Sequence, residues 1–560
     1  MRCRLWISAV FLLVAACGNI TQNSNNGTLI ESHPSGANSP SAPETIARYG
    51  ERGPIQHAER EPVFPKSPMP QHLVVVDGQS LTTPMRLLLV SLQGILAKTE
   101  PRLYFNPSTL PNYDSIHEEE GLWLTEMENK WSVTAENMSD PWAVLDRFVD
   151  EVQGYIIYDP DMPQTINVAT TMAGIHQALI ADPDLAGDLA ARGLTLVDDL
   201  RGRFTDNVDL YTWAFQELWP QSNQSIIAFL ASDLMPLRDY LIAHNILTMQ
   251  LDPHHWAERP LLDTILSSTP QNIPVLGWPL DELLGVIIFS QHGKFLVVTD
   301  MVSNLTAHSG LTCQTLTQNH ITEWPNIENK IYVSFAFTDG DSMSYLNRWM
   351  AYWWEDPAFD QIPLGWEMSM APVDLAPDVI GYFYDRLTEN NVIIGPASGI
   401  GYVYPNQYPD MDTFLELTHT YLGLAGMRTL WIINDDLTLP DDLANRYGLE
   451  LELLGIYIDY WPTADKCWYL TSAGVPVLRS RYTYLVGPEQ ISNILSDAAI
   501  EKEFLYPDFP TFVFIGVNAW VTSPSIIKSY VDQLDDRYIV IRPDAMFAAM
   551  RTAGEQGLIP

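Results

Sequence analysis

The chain has 560 residues, 46% of them hydrophobic and 18% charged, which is enough to form more than one hydrophobic core. Acidic residues outnumber basic ones by 69 to 30, and the formal net charge is −39. This balance argues against nucleic acid and other anionic polymers as partners, because both surfaces would carry the same charge.

The first 17 residues have the pattern of an export signal. Arg2 and Arg4 precede an apolar segment over 5–15, and small residues lead to Cys17. This ending resembles a bacterial lipoprotein box, so we expect cleavage before Cys17, lipidation of that cysteine and tethering to a membrane through acyl chains. An ordinary secretory signal that contains a cysteine is the alternative. The prediction is an exported protein anchored at the periplasmic face or the cell surface.

Residues 18–70 are rich in Asn, Ser, Gly and Pro and contain few aromatic or branched side chains. Such a segment buries too little apolar surface to offset its ordering entropy, so it predicts a flexible linker. Its Pro-rich end, 62–70, also fits an extended arm packed along the folded body. No later stretch reaches the roughly 18–20 apolar residues of a spanning helix.

Residues 71–325 alternate between short apolar runs and helical patterns, which is typical of an α/β domain with a largely parallel sheet. We predict strands over 72–76, 103–105, 154–158, 225–230, 274–276 and 295–298, and helices over 84–98, 172–180 and 236–244. Cys313 and Cys467, on either side of the next boundary, are predicted to be free thiols.

A polar stretch over 322–329 predicts a boundary, after which residues 326–560 follow a regular pattern. Apolar runs predict strands over 332–337, 364–368, 392–395, 429–433, 453–458, 475–478, 512–515 and 538–541. Helical patterns separate several of them, so we predict a (β/α) barrel-like domain of seven or eight strands. A doubly wound open sheet is the alternative.

Polar and aromatic residues follow these predicted strands. In a parallel barrel they would meet at one rim, where barrel enzymes bind their substrates. Each one also fits a turn or a helix cap when taken separately. The rim candidates are Asp339, Asp341, Glu367, Asn434, Asp435, Asp459, Trp461, Arg479, Asn518 and Trp520.

A glycine- and tyrosine-rich loop follows the third of these strands. Gly399 and Gly401 allow close backbone approach, and Tyr402 and Tyr404 predict either a stacking wall for a flat ligand or a turn with two packed rings. With Pro405, these residues match every specified position of the GxGYxYP signature, and the chain resembles that family. Residues 91–95, 101–104 and 303–306 resemble it as well. The resemblance spans most of 71–560 and implies sugar processing, with an oligo- or polysaccharide as substrate.

Glycoside hydrolysis requires two carboxyl groups, one that protonates the leaving oxygen and one that acts as nucleophile or as base. The candidates are Asp339, Asp341, Glu367, Asp435 and Asp459. Glu367 ends an apolar strand, so desolvation would make it the acid, with Asp339 or Asp341 as its partner. This chemistry implies no cofactor and no metal.

Two other functions fit the same residues. A non-catalytic glycan-binding surface lipoprotein would use Tyr402, Tyr404, Trp461 and Trp520 without a reacting carboxylate. Residues 337–341 also resemble the opening motif of metal-dependent polysaccharide deacetylases. That family needs a histidine pair, whereas His419 is the one histidine after residue 330.

Overall fold

The computed structural model describes residues 62–108, 120–435, 439–458, 467–481, 483 and 485–559. The predicted signal with Cys17 and most of the predicted linker therefore lie outside the described residues. The strands are β1 (His72–Val76), β2 (Leu103–Phe105), β3 (Thr134–Asn137), β4 (Gly154–Ile157), β5 (Ala178–Ala181), β6 (Leu196–Asp199), β7 (Ile227–Phe229), β8 (Leu247–Met249), β9 (Ile273–Gly277), β10 (Lys294–Val298), β11 (Ile331–Phe337), β12 (Leu364–Glu367), β13 (Asn391–Ile394), β14 (Thr429–Ile432), β15 (Gly455–Ile458), β16 (Trp468–Leu470), β17 (Pro476–Arg479), β18 (Thr511–Val517) and β19 (Tyr538–Val540). The helices are α1 (Thr83–Leu96), α2 (Glu120–Trp131), α3 (Pro141–Phe148), α4 (Thr165–His176), α5 (Ala186–Ala191), α6 (Asn207–Glu217), α7 (Arg238–Ala243), α8 (Glu258–Ser268), α9 (Glu282–Gln291), α10 (Leu305–Ser309), α11 (Met343–Tyr345), α12 (Ala351–Trp354), α13 (Pro372–Leu375), α14 (Pro377–Tyr384), α15 (Met411–Leu424), α16 (Asp441–Glu450), α17 (Pro488–Phe504), α18 (Pro524–Val531) and α19 (Pro543–Glu555).

The amino-terminal strands form three separate sheets within the described residues. Their strand orders are β2-β1-β3, β5-β4-β6 and β10-β9-β7-β8. Every pair in them is parallel. The predicted α/β class with parallel pairing is confirmed, although the strands divide into three small sheets instead of one large one.

The predicted helix over 172–180 is wrong in its second half. Helix α4 ends at His176, and Gln177 adopts a left-handed backbone with φ of 51°. A left-handed residue cannot continue a right-handed helix, so the apolar run that follows is free to form β5 beside β4. An apolar run this short fits a helix or a strand equally well, which is why periodicity misassigned it.

The carboxy-terminal strands form two further sheets, ordered β13-β12-β11-β18 and β14-β15-β17-β16, and β19 also pairs with β11. All pairs are parallel except β16 with β17. Isolated parallel bridges join Gly395 to Leu430 and Ser480 to Phe514. The two sheets are thus connected at two places.

Two sequence stretches that resembled the GxGYxYP family bind each other in the core. Asn304 Oδ1 accepts hydrogen bonds from Gln93 Nε2 at 2.9 Å and from the Phe105 backbone N–H at 2.8 Å. Its Nδ2 donates to the Phe105 carbonyl and to Glu120 Oε2, both at 3.0 Å. A few residues later, the fully buried His308 pairs with Asp378 of α14 at 2.7 Å. These stretches therefore connect the first and third amino-terminal sheets to the carboxy-terminal part.

Within the described residues, no helix is both long and apolar enough to cross a membrane. Cys313 and Cys467 are both free and partly buried, which confirms the prediction of two free thiols.

Candidate active site

The site begins where β11 and β12 end side by side. Strand β11 is buried along its whole length, and Asp339 follows it with a left-handed backbone, φ 60°. A Cβ added to Gly340 would lie 1.6 Å from the Glu367 carbonyl oxygen, so only glycine fits there. The Ser369 N–H donates to the Gly340 carbonyl at 2.7 Å. This contact fixes Asp339 and Asp341 beside Glu367.

Burial dominates the electrostatics of the two aspartates. It raises the pKa of Asp339 to about 6, although hydrogen bonds from the Thr338 hydroxyl (2.8 Å) and the Trp520 indole favour its ionised form. Burial raises the pKa of Asp341 further, to about 8, and the negative charges of Asp339 and Glu282 add to the effect. Because the two carboxyls interact, they titrate as a pair in which one proton is retained near neutral pH.

Glu367 ends β12, where its backbone lies against Gly340, and is 0% exposed. Tyr345 is equally buried, and burial together with the charges of Asp339 and Glu367 holds its pKa well above the usual range. Tyr345 therefore stays neutral and belongs to the same cluster. The complete burial of Glu367 does not fit the predicted acid that touches substrate, because the side chain is closed off by the strands around it.

The GxGYxYP loop packs against the third amino-terminal sheet. The Tyr402 N–H donates to the Leu296 carbonyl at 2.8 Å, and the Leu296 N–H donates back at 3.0 Å. A Cβ on Gly401 would come within 2.7 Å of that carbonyl, which explains the glycine. Gly399 has φ of 147°, and an added Cβ there would press on Thr418.

The stacking-wall interpretation of the two loop tyrosines is wrong. Tyr402 and Tyr404 are only 3% and 4% exposed, and their rings pack edge to face with centroids 5.6 Å apart. No ring face is left for a ligand, because the loop is enclosed between the carboxy-terminal strands and β10. The packed-turn alternative describes the loop correctly.

Sequence reasoning missed a further carboxylate, Glu282, the first residue of α9. The Tyr402 hydroxyl donates to Glu282 Oε1 at 3.3 Å and lies 3.1 Å from the Tyr404 hydroxyl. The Glu282 charge also contributes to the raised pKa of Asp341. Glu282 follows β9, so the rule applied to the carboxy-terminal strands would have found it if applied to the amino-terminal ones.

The remaining predicted site residues have varied surroundings. Asn434 Oδ1 accepts the Asn406 N–H at 3.2 Å, and Asp435 accepts Gln407 Nε2 at 2.8 Å, so both hold the chain just after the GxGYxYP loop. Arg479 is buried at the end of β17. Asn518 Oδ1 accepts the Trp520 N–H at 3.0 Å. The other two candidates, Asp459 and Trp461, lie outside the described residues.

Four family matches cover most of the chain. Residues 329–551 match the family described as "GxGYxYP putative glycoside hydrolase C-terminal domain", and 72–150, 152–222 and 224–310 match its first, second and third amino-terminal domains. The chain belongs to the GxGYxYP family. Each amino-terminal GxGYxYP match contains one of the three amino-terminal sheets, and the third contains Glu282.

A similar fold is found in a solved crystal structure described as a putative hydrolase from Bacteroides thetaiotaomicron VPI-5482. The TM-score is 0.76 at 22% sequence identity, with 89% of this chain and 98% of that chain covered. No curated protein matches the chain. In the described part of this GxGYxYP protein, no three His, Cys, Asp or Glu side chains group as metal ligands.

Proposed function

We propose that this protein hydrolyses glycosidic bonds at the carboxyl ends of β11 and β12. The observation that carries the proposal is the aspartate pair: burial raises the pKa of Asp339 to about 6, and burial together with the charges of Asp339 and Glu282 raises the pKa of Asp341 to about 8. Glycoside hydrolysis needs one protonated and one ionised carboxyl group at the same pH. The chain belongs to the GxGYxYP family, whose description names glycoside hydrolysis, and this supports a carbohydrate as the substrate.

We further propose that the parallel strands of the carboxy-terminal region close into a barrel-like ring. The support is the succession of parallel contacts β11-β12-β13, β14-β15-β17 and β18-β11, with bridges at Gly395 and Ser480 joining the two sheets. In such a ring the carboxyl ends of the strands surround one mouth, which is where Asp339, Asp341 and Asp435 follow their strands.

In the proposed reaction Asp341 donates the proton to the leaving oxygen, because its pKa is the higher of the two. Asp339 is the ionised partner and acts as nucleophile or as base toward water. The Thr338 hydroxyl and the Trp520 indole, which both donate to Asp339, keep its charge stable while Asp341 retains its proton. Glu367 becomes a positioning residue at the end of β12, where its backbone lies against Gly340. The acid role thus moves from Glu367 to Asp341.

The proposed roles predict a bell-shaped dependence of kcat/KM on pH. Activity should rise as Asp339 loses its proton near pH 6 and fall as Asp341 loses its proton near pH 8, with a maximum close to pH 7. The profile is measured with an aryl glycoside that the enzyme cleaves. A maximum below pH 5 would contradict the proposal, because both carboxyls would then hold their protons at the optimum.

We also propose that Cys17 carries the lipid anchor of an exported protein, on the basis of the signal pattern that precedes it. Full-length protein expressed in a bacterium should partition into the detergent phase of a phase-separating detergent, and C17A should lose this partitioning. C313A serves as the matched control and should partition like the unaltered protein. Detergent partitioning that is unchanged in C17A would contradict the anchor.

A further inference from the structure

Aromatic side chains lead outward from Asp339 to the protein surface. The Trp520 indole donates to Asp339, and its ring centroid lies 5.8 Å from that of Trp349. Trp349 is followed by Trp353 at 6.1 Å, and Trp353 by Tyr352 at 4.9 Å. Tyr352 is 41% exposed and the three tryptophans are partly buried. These four side chains, Trp520, Trp349, Trp353 and Tyr352, are called the aromatic row below.

The three tryptophans of the row pack partly against the hydrophobic core, and Tyr352 extends the row to the surface. Trp353 contacts the rings of both Trp349 and Tyr352, so the three side chains are neighbours on one side of the helical segment. The next residue, Trp354, is buried and packs against Trp366 and Phe383 at 5.5 and 4.9 Å. An outward helical face in a soluble protein is ordinarily polar, and grouped aromatic rings there indicate a binding surface.

The backbone under the row is irregular as well. Residues Leu346–Met350 form a π-helical turn between α11 and α12, and this turn contains Trp349. Such turns insert a residue into a helix and occur often at functional sites. Trp349 lies in this turn, and Tyr352 and Trp353 follow directly in α12.

The chemistry of the row suits an uncharged sugar chain. Aromatic rings offer apolar faces to the C–H faces of pyranose rings. The acidic groups at its inner end, Asp339 and Asp341, together with the net charge of −39, oppose chains rich in uronic acid or sulfate. We propose that the aromatic row is an extended subsite for a neutral oligosaccharide of several sugar units, on one side of the bond that is cleaved. This inference rests on the proposed function and specifies its substrate class.

The test uses D341N protein, so that substrates are not consumed, and isothermal titration with neutral di- and hexasaccharides of β-1,4-glucose, β-1,4-xylose, β-1,4-mannose and α-1,4-glucose. At least one hexasaccharide should bind about tenfold more tightly than its disaccharide, because its outer units reach the row. Adding Y352A should weaken binding of that hexasaccharide by about fivefold to tenfold and leave disaccharide binding unchanged.

Two control variants distinguish loss of the Tyr352 ring from a general effect of the substitution on the protein. Y352F keeps the ring and should bind the hexasaccharide as tightly as the unaltered side chain does. F504A removes another exposed aromatic ring, at the end of α17 and seven residues before β18 begins, and should have no effect. Affinity that does not depend on chain length, equal losses in Y352A and F504A, or no binding by any probe would each overturn the subsite. Length-dependent binding by a protein that hydrolyses nothing would instead refute the proposed function and leave the subsite standing.

Discussion

Replacing Asp341 by Asn should reduce kcat on a glycoside by about 10²–10⁴-fold, the usual contribution of a general acid. The amide cannot give a proton to the leaving oxygen, while its size preserves the packing around Gly340 and Glu367. The loss of kcat should be much smaller for substrates with activated aryl leaving groups, which need little protonation, than for natural sugar chains. The comparison of the two substrate classes in D341N and unaltered enzyme is the measurement.

The matched control for this variant is D360N, an exposed aspartate that precedes β12 at the opposite end of the strand. It should leave kcat unchanged. A loss in D341N that is equally large for aryl glycosides and natural chains would contradict the role of proton donor.

The D341N variant should also differ from the unaltered protein in how its stability depends on pH. The pKa of Asp341 in the folded protein is raised above its ordinary value, so its favourable contribution is complete at low pH and is lost as pH rises through about 8. D341N should therefore be more stable than unaltered protein at pH 9, by about 1–3 kcal/mol after allowance for partial exposure, and not at pH 4. Thermal unfolding at the two pH values measures this difference.

Replacing Gly340 by Ala should destabilise the protein by about 3 kcal/mol or more and reduce activity by about 100-fold. The new methyl group would lie 1.6 Å from the Glu367 carbonyl oxygen and 2.7 Å from the Met368 nitrogen, so β11 and β12 must separate at their carboxyl ends. Separation would also break the Ser369 N–H contact to the Gly340 carbonyl. Denaturant unfolding and kcat/KM measure the two effects.

G187A is the matched control, since a methyl group on Gly187 in helix α5 would meet nothing within 4 Å. It should change the free energy of unfolding by less than about 1 kcal/mol and leave activity intact. If G340A behaved like G187A, the close approach of the two strand ends would be disproved.

Most carboxy-terminal strands were predictable because each is an apolar run bounded by polar or turn-forming residues. Predicted 332–337 became Ile331–Phe337, and predicted 429–433 became Thr429–Ile432. Strands β3 and β6 were missed because they are largely exposed and polar, and so present no apolar run. Strands β8 and β16 were missed as well, and each is only three residues long. Apolar patterning detects strands through their burial, so a strand that lies at the surface gives no such pattern.

The site residues could be proposed from the sequence only in part. The rule that polar residues follow parallel strands selected Asp339 and Asp341, whose raised pKa values come from burial that only the fold supplies; their catalytic role stays a prediction. Tyr402 and Tyr404 were misread because aromatic residues in a loop look alike whether they face a ligand or another sheet. Leu296, the partner of Tyr402, and Ser290, the partner of Tyr404, lie more than a hundred residues earlier in the chain, and local sequence does not reveal such contacts.

The most direct test of glycoside hydrolysis is mass spectrometry of neutral polysaccharides incubated with the enzyme in H₂¹⁸O. The proposed reaction predicts shorter chains that carry one ¹⁸O atom at each new reducing end, and their absence in the D339N/D341N double variant. Release of acetate from chains of unchanged length would indicate a deacetylase. Chains that stay intact with unaltered enzyme, or are shortened equally by the double variant, would contradict hydrolysis by this aspartate pair.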